Sequence, residues 1–96
     1  MHYTAFDVET HLTAPAEQIP RLVCGAFSTV DRGDELYDRR GTVDRLHAAL
    51  LDESTVIGGH FVAFDMAVMS RAHESLMPMI VDAYEADRIV CTSIRE

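Results

Sequence analysis

The chain has few basic residues, only two cysteines and no apolar run long enough to span a membrane. Lysine and arginine together number 8, against 16 aspartates and glutamates, so the formal net charge is −8. This balance argues against a protein that coats nucleic acid, because such proteins carry a basic stripe. It still permits an enzyme that handles nucleic acid through bound cations, since a metal ion inverts the local electrostatic field.

The scarcity of cysteine and the character of the N-terminus bear on the cellular compartment. Cys24 and Cys91 both stand in apolar surroundings, and we expect two buried free thiols rather than a disulfide, because no secretion signal precedes them. Two distant cysteines and scattered histidines also disfavour a structural zinc site. The first residues lack the basic region and long apolar core of a signal peptide, and a membrane span needs about 20 apolar residues. We therefore expect a cytoplasmic protein with no membrane segment.

The chain has the size and composition of one small folded domain, with 96 residues of which 48% are hydrophobic. Alternation and turn signals predict strands over residues 3–9, 21–29, 35–39, 55–59 and 88–91, and helical spacing predicts helices over 43–51, 63–73 and 76–84. Thr42 and Ser75 are the expected N-caps of the first and third helices. A loop is expected over 10–20, and the start of another helix over 92–96. This order predicts an α/β fold with a mixed sheet, in which three antiparallel strands precede parallel ones, and with flanking helices.

Asp7 and Glu9 are two carboxylates in a stretch that otherwise has the pattern of a buried strand. Alternate side chains of a strand share a face, so both point the same way, with Cα atoms about 6.5–7 Å apart, while Phe6 and Val8 face the core. Such a pair repels itself unless one group takes a proton or a cation lies between them. Because hard divalent ions prefer oxygen ligands, the pair predicts a Mg²⁺ or Mn²⁺ site.

A third acidic residue, Asp65, follows the glycines that end the fourth strand. Phe64 is expected to anchor the next helix to the core. Taken alone, Asp65 is an ordinary first-turn acid, which the helix dipole favours by about 0.3–1 kcal/mol. Taken with Asp7 and Glu9, it predicts a shared site, because strand ends and an adjacent helix start can converge on one ion. His60 is either part of that site or a turn histidine that satisfies backbone groups.

These residues resemble two motifs of the DEDD superfamily of 3′–5′ exonucleases. The stretch Phe6-Asp7-Val8-Glu9-Thr10 resembles the first motif, Asp-x-Glu. Residues 59–65 resemble the second motif, which is usually His-Asn-x-x-Phe-Asp, and residues 89–96 resemble the segment after it. The resemblance covers nearly the whole chain and is greatest to the proofreading exonuclease domain of family A DNA polymerases, especially phage-type ones.

The resemblance implies a ribonuclease H-like fold in which residues 1–96 form the N-terminal part of one exonuclease domain. The third motif, Tyr-x-x-x-Asp or His-x-x-x-Asp, would lie beyond Glu96, so we expect little or no activity from these residues alone. The implied reaction removes nucleoside 5′-monophosphates from a single-stranded DNA 3′ end. The implied setting is proofreading beside a covalently linked polymerase domain, in the cytoplasm of a bacterium or a phage-infected host.

The same resemblance assigns catalytic roles to the three carboxylates. Asp7, Glu9 and Asp65 would be the catalytic residues and the ligands of two Mg²⁺ or Mn²⁺ ions, similar to the pattern in which paired ions clamp the scissile phosphate. Asp7 would bridge both ions, and Glu9 would orient the attacking water. Asp65 would complete the coordination of the second ion.

Three further residues are the expected substrate contacts: Thr10, His60 and Phe61. Phe61 stands where the family usually has Asn, although its ring could stack on a base. Cys91 stands where relatives often carry Asp. These departures, with a third motif lacking before Glu96, leave two alternatives open. One is a catalytically degenerate, nuclease-like structural or binding module, and the other is a stand-alone ribonuclease of the same superfamily.

Overall fold

The computed structural model describes residues 2–11 and 19–92, and within them a five-stranded sheet is packed against three helices. In chain order these are β1 (His2–Thr10), β2 (Leu22–Thr29), β3 (Gly33–Asp38), α1 (Arg39–Leu51), β4 (Thr55–Gly59), α2 (Val62–Ala72), α3 (Leu76–Glu85) and β5 (Ile89–Cys91). The predicted strands and helices are all found, and the start of α1 differs most. The predicted loop over 10–20 and helix start over 92–96 lie mostly outside the described residues. None of the three helices is long and apolar enough to cross a membrane.

The sheet is mixed, and its strand order is β3-β2-β1-β4-β5. The central strand, β1, pairs antiparallel with β2 and parallel with β4. On the outer sides, β3 is antiparallel to β2, and β5 is parallel to β4. Three antiparallel strands followed by parallel ones confirm the predicted α/β class and mixed sheet. The arrangement is compatible with a ribonuclease H-like fold.

The alternation of β1 decides which face of the sheet carries the core. Phe6 and Val8 are buried, whereas Asp7 and Glu9 are exposed on the other face, as predicted. The Phe6 ring stacks on Phe27 of β2, with ring centroids 4.7 Å apart. The helices add buried side chains to the same hydrophobic cluster: Leu46, Leu50, Val62, Met66, Met69, Leu76, Ile80 and Ala83.

The opposite side of the sheet is left exposed in the described part of the chain. Cross-strand register places Ala26 between Asp7 of β1 and Leu36 of β3. It likewise places Ser28 between Ala5 of β1 and Asp34 of β3. We call this surface the open face, and its residues are Tyr3, Ala5, Asp7, Ala26, Ser28, Asp34 and Leu36. It lies next to the start of α2, so it adjoins the residues singled out for a catalytic role.

The start of α1 differs from the prediction because Asp38, not Thr42, is the N-cap. The Asp38 side chain accepts a hydrogen bond from the Gly41 backbone N–H at 2.8 Å. Thr42 lies inside the helix, where its hydroxyl donates to the Asp38 carbonyl at 2.6 Å. It is fully buried against Gly25 of β2, where any side chain would collide with it. Ser75 is the N-cap of α3 as predicted, but its side chain makes no capping hydrogen bond within the described residues.

The two cysteines form no disulfide within the described residues, but they are half-buried rather than buried as expected. Cys24 lies opposite Glu9, near the end of the β1–β2 pairing. Cys91 ends β5, which is an edge strand. Positions near strand ends and sheet edges are covered on fewer sides, which explains their partial exposure.

Arg88 ties the end of α1 to the sheet. Its guanidinium donates to the Thr55 carbonyl at 2.9 Å, and also to the carbonyls of Ala49, Leu50 and Asp52 at 3.1, 3.1 and 2.7 Å. The last carbonyls of a helix have no partner within it, and the last turn of α1 contains no basic residue. Arg88 therefore supplies these donors from the segment that leads into β5.

Replacing Arg88 by Met keeps most of the aliphatic stem but removes every donor. We expect the free energy of unfolding to fall by about 2–4 kcal/mol, because several half-buried carbonyls lose charge-assisted hydrogen bonds. Urea denaturation measures the change. The matched control is Arg40→Met on the exposed first turn of α1, which should change stability by less than about 0.5 kcal/mol. Equal losses in the two variants would contradict this role for Arg88.

Candidate metal-binding and catalytic site

Asp65 lies in the first turn of α2 and is only 3% exposed. Its Oδ2 atom has no hydrogen-bond partner among the described residues. Burial raises the pKa of Asp65 from 3.8 to about 7, and the charges of Asp7 and then Cys91 add to this effect. A carboxylate buried without a donor is costly, so Asp65 is not the exposed first-turn acid that a helix dipole alone would favour.

Gly59 brings Asp65 close to the central strand. A Cβ atom at this position would lie 2.6 Å from the Phe6 carbonyl oxygen and 3.6 Å from Asp65 Oδ2. The end of β4 therefore packs directly on the β1 backbone, next to Asp7. Any side chain at position 59 would force β1 and β4 apart, and the two carboxylates with them.

Asp7 and Asp65 line one open pocket of about 800 Å³. Asp7 reaches it from the open face, and Asp65 reaches it from the start of α2. His60 and Phe61 also line it, so four of the six predicted site residues share one pocket. The meeting of Asp7 and Asp65 was predicted from the sequence, because a strand end and an adjacent helix start can lie close together.

The other two predicted residues, Glu9 and Thr10, lie further along β1 and do not line this pocket. A β-bulge lies between Glu9 and Thr10 in the pairing of β1 with β2. Glu9 pairs with Cys24 and Thr10 pairs with Leu22, so Val23 is an extra residue in β2. Bulges bend a strand and re-aim its side chains, and they are common beside active sites. Strand alternation alone could not predict this irregularity.

The carboxylate pair fits part of a site for a hard divalent cation. Asp7 and Asp65 offer oxygen ligands, and the unpartnered Oδ2 of Asp65 has no competing donor. Mg²⁺ is commonly held by one or two carboxylates together with water and substrate phosphate. Within residues 2–11 and 19–92, however, no group of three or more His, Cys, Asp or Glu side chains is placed to hold a metal ion. A ligand role for Glu9 therefore stays a prediction.

Phe61 adopts a strained backbone conformation at the edge of the pocket. Its φ of 59° and ψ of 45° lie in the left-handed region, which costs a bulky residue about 1–2 kcal/mol. The ring is 60% exposed and stands edge-on to the His60 ring, with centroids 4.4 Å apart. Little burial offsets the strain, and such outliers concentrate at functional sites.

Phe64 does not anchor α2 to the core, contrary to the prediction. Its ring is exposed and lines the pocket. Val62, Met66 and Met69 fill the core instead, at the i, i+4 and i+7 spacing of one helix face. This spacing places Phe64 on the side of α2 that faces away from the core. The helical period of the sequence was therefore the signal that Phe64 is not a core residue.

Tyr84, in the last turn of α3, belongs to the same electrostatic environment. Burial raises the pKa of Tyr84, and the charges of Cys91 and Asp65 raise it further. The sequence offered no signal for this neighbour, because it comes from a separate helix and does not line the pocket. The electrostatic influence of Asp65 and Cys91 therefore extends to a phenol on α3.

No family model matches this chain, and neither a curated protein nor a solved structure matches it significantly. The resemblance to DEDD exonucleases therefore depends on the two motifs alone and stays a prediction. Function is inferred below from the pocket and its carboxylates.

Replacing Asp65 by Asn should stabilise the metal-free protein at alkaline pH. The native pKa of about 7 lies above the ordinary 3.8, so the folded state holds its proton while the unfolded state loses it. Stability therefore falls as the pH rises from about 4 to about 7, and the full cost remains above that. We expect Asp65→Asn to raise the free energy of unfolding by about 2–4 kcal/mol near pH 8, and by less near pH 5.

Urea denaturation in EDTA at both pH values measures this gain. The control is Asp31→Asn, which makes the same charge change in the exposed turn between β2 and β3. It should show no comparable dependence on pH. A gain at Asp65 that does not grow with pH would mean that the gain does not come from removing an ionised carboxylate.

Replacing Phe61 by Asn should relieve backbone strain at little packing cost. Asn tolerates the left-handed region, and the exposed ring buries little surface. We expect thermal or urea unfolding to show a gain of about 1 kcal/mol. Phe64→Asn, made inside α2 with ordinary helical geometry, is the control and should be neutral or destabilising. Destabilisation at position 61 would show that the ring packs more strongly than its exposure indicates.

Proposed function

We propose that this chain is the catalytic part of a metal-dependent 3′–5′ exonuclease. The observation that carries the proposal is the buried Asp65 carboxylate, whose Oδ2 has no hydrogen-bond partner in the described part of the chain, beside Asp7 in an open pocket. A buried carboxylate whose pKa is raised by burial and by a neighbouring carboxylate is a liability in a metal-free protein. A divalent cation between the two carboxylates removes the repulsion and gives Asp65 a partner.

Asp7 and Asp65 would hold the cation, and the open side of the pocket leaves room for a phosphate group. Such an ion, when bound, would polarise a phosphoryl group of the substrate and make a water molecule more nucleophilic. The exposed rings of Phe61 and Phe64 offer apolar faces on which an unpaired base can stack. His60 lies at the same edge, where it can contact the terminal nucleotide.

The fold supports the assignment of this α/β domain to the ribonuclease H-like nucleases. The central strand carries the acidic pair Asp7 and Glu9, an antiparallel hairpin lies on one side of it, and parallel strands lie on the other. The third acidic residue, Asp65, follows the neighbouring parallel strand. Action on a DNA 3′ end, beside a linked polymerase domain, follows from the motif resemblance and forms part of the proposal.

A second candidate is a nuclease-like module that binds or scaffolds without catalysis. It is favoured by the position of Glu9 outside the pocket and by Phe61 at the place of a family Asn. In that case the acidic pair would persist without saturable metal binding. The two candidates therefore differ in a measurable property of this chain.

Calorimetric titration with Mn²⁺ tests the proposal directly. We expect saturable binding that weakens by about tenfold or more in Asp7→Ala, because one of two oxygen ligands is lost. Asp31→Ala makes the same charge change on the exposed turn and should leave the affinity within about twofold. Because little or no release of mononucleotides is expected from these residues alone, metal binding is the readout for this chain.

Loss of binding in Asp7→Ala but not in Asp31→Ala would support a shared site. Equal weakening in both variants would mean that Mn²⁺ responds only to net charge, and the catalytic proposal would fail. Absence of saturable binding by the folded wild-type chain would favour the non-catalytic module.

A further inference from the structure

The open face combines a shallow floor of small side chains with large apolar side chains around it. Ala5 and Ala26 form the floor, and Gly58 lies beside them under the Tyr3 ring. Small residues on a sheet allow another backbone element to approach closely. The surface is continuous from the edge strand β3 across β2 and β1 to the start of α2.

Four exposed apolar side chains surround this floor and line the same pocket: Tyr3, Leu36, Phe61 and Phe64. Leu36 is the most exposed of them, at 77%. Single exposed hydrophobic residues are normal on protein surfaces, whereas a contiguous patch marks an interaction site. The arrangement therefore points to a partner that presents an apolar stripe.

The charges beside this patch are almost all negative. Asp7, Asp34, Glu35 and Asp65 line the pocket, and within the described residues no arginine or lysine does so. Glu35 is paired with Arg32 at 2.8 Å and Arg45 at 3.2 Å, whereas the three aspartates have no ion pair within residues 2–11 and 19–92. Without a bound cation, no basic side chain in the described lining of this pocket attracts a nucleic-acid backbone. The surface instead fits a partner that is apolar and positively charged.

We propose that the open face docks an amphipathic helix of a partner protein, with a leucine-like stripe flanked by lysine or arginine. A helix about 10–12 Å wide fits a shallow groove, and recognition of such helices through apolar anchors is a common binding mode. The apolar stripe would cover Leu36 and Tyr3, and the basic flank would face Asp34 and Asp7. A second copy of this chain is a poor occupant, because two surfaces of the same negative charge repel.

This inference goes beyond the proposed nuclease function and does not depend on it. Docking requires no metal ion, so it is measured in EDTA, where failure of the metal site has no effect. Asp7 belongs to both proposals, whereas Leu36 on β3 has no role in the metal site, so a Leu36 variant tests docking alone. The two proposals therefore fail separately.

The test uses two synthetic helical peptides of about five turns, which share the same leucine stripe and carry either lysine or glutamate elsewhere. Fluorescence anisotropy at physiological ionic strength measures their affinity for the whole chain. We expect the lysine peptide to bind about tenfold more tightly or better. Amide chemical shifts of the unmodified chain should change at Tyr3, Ala26 and Leu36 when the lysine peptide is added.

Leu36→Lys should weaken binding of the lysine peptide by about tenfold or more. Leu51→Lys is the matched control, because Leu51 is also exposed, at 62%, but lies at the end of α1 outside this surface. Both variants change the net charge equally. Equal effects of the two variants, equal affinity for the two peptides, or shift changes away from the open face would overturn the proposal. In EDTA, preferential binding of a thymidine oligonucleotide to this face would also overturn it and assign the metal-free surface to nucleic acid.

Discussion

The side-chain alternation of β1 is the constraint on which the rest of the structure depends. Phe6 and Val8 must face the helices, because their burial completes the cluster beneath α1 and α2. A strand has a side-chain period of two, so this requirement forces Asp7 and Glu9 to the other face. A register slip of one residue would bury both carboxylates and expose both apolar side chains. The acidic pair therefore owes its position to core packing.

The position of Asp65, unlike that of Asp7 and Glu9, is not explained by core packing. The neighbouring core positions, Val62, Met66 and Met69, already provide the apolar face of α2, and packing does not require a carboxylate at position 65. The buried, unpartnered Oδ2 costs stability at neutral pH and above. Phe61 adds a second unfavourable feature in the same turn of chain. Features that cost stability and cluster at one pocket are most simply explained by a function that uses them.

Much of the fold could be predicted because its strongest signals are local and periodic. The alternation in β1 indicated both the type of element and its buried face, and the apolar spacing in α1 and α3 indicated helices, although Leu51 and Tyr84 are exposed. The errors arose where two local signals were equal or where tertiary contacts decided. Asp38 and Thr42 are both good capping residues, and packing against Gly25 placed Thr42 inside the helix. The convergence of Asp7 and Asp65 could be expected from sequence, but the bulge beside Glu9 is set by strand pairing and could not.

The divalent ion and the partner helix proposed for this surface are both positively charged. They would bind at different carboxylates, because Asp65 is buried and Asp34 is exposed. Asp65 is almost wholly buried, so only a small ion can reach its free oxygen. Asp34 is exposed on β3 and accepts a hydrogen bond from Ser28 at 2.7 Å, so a long basic side chain can approach it from solvent. A divalent ion would reduce the negative potential around Asp7 and weaken the attraction for a basic helix. Metal occupancy should therefore lower the affinity for the helix without blocking its apolar contacts.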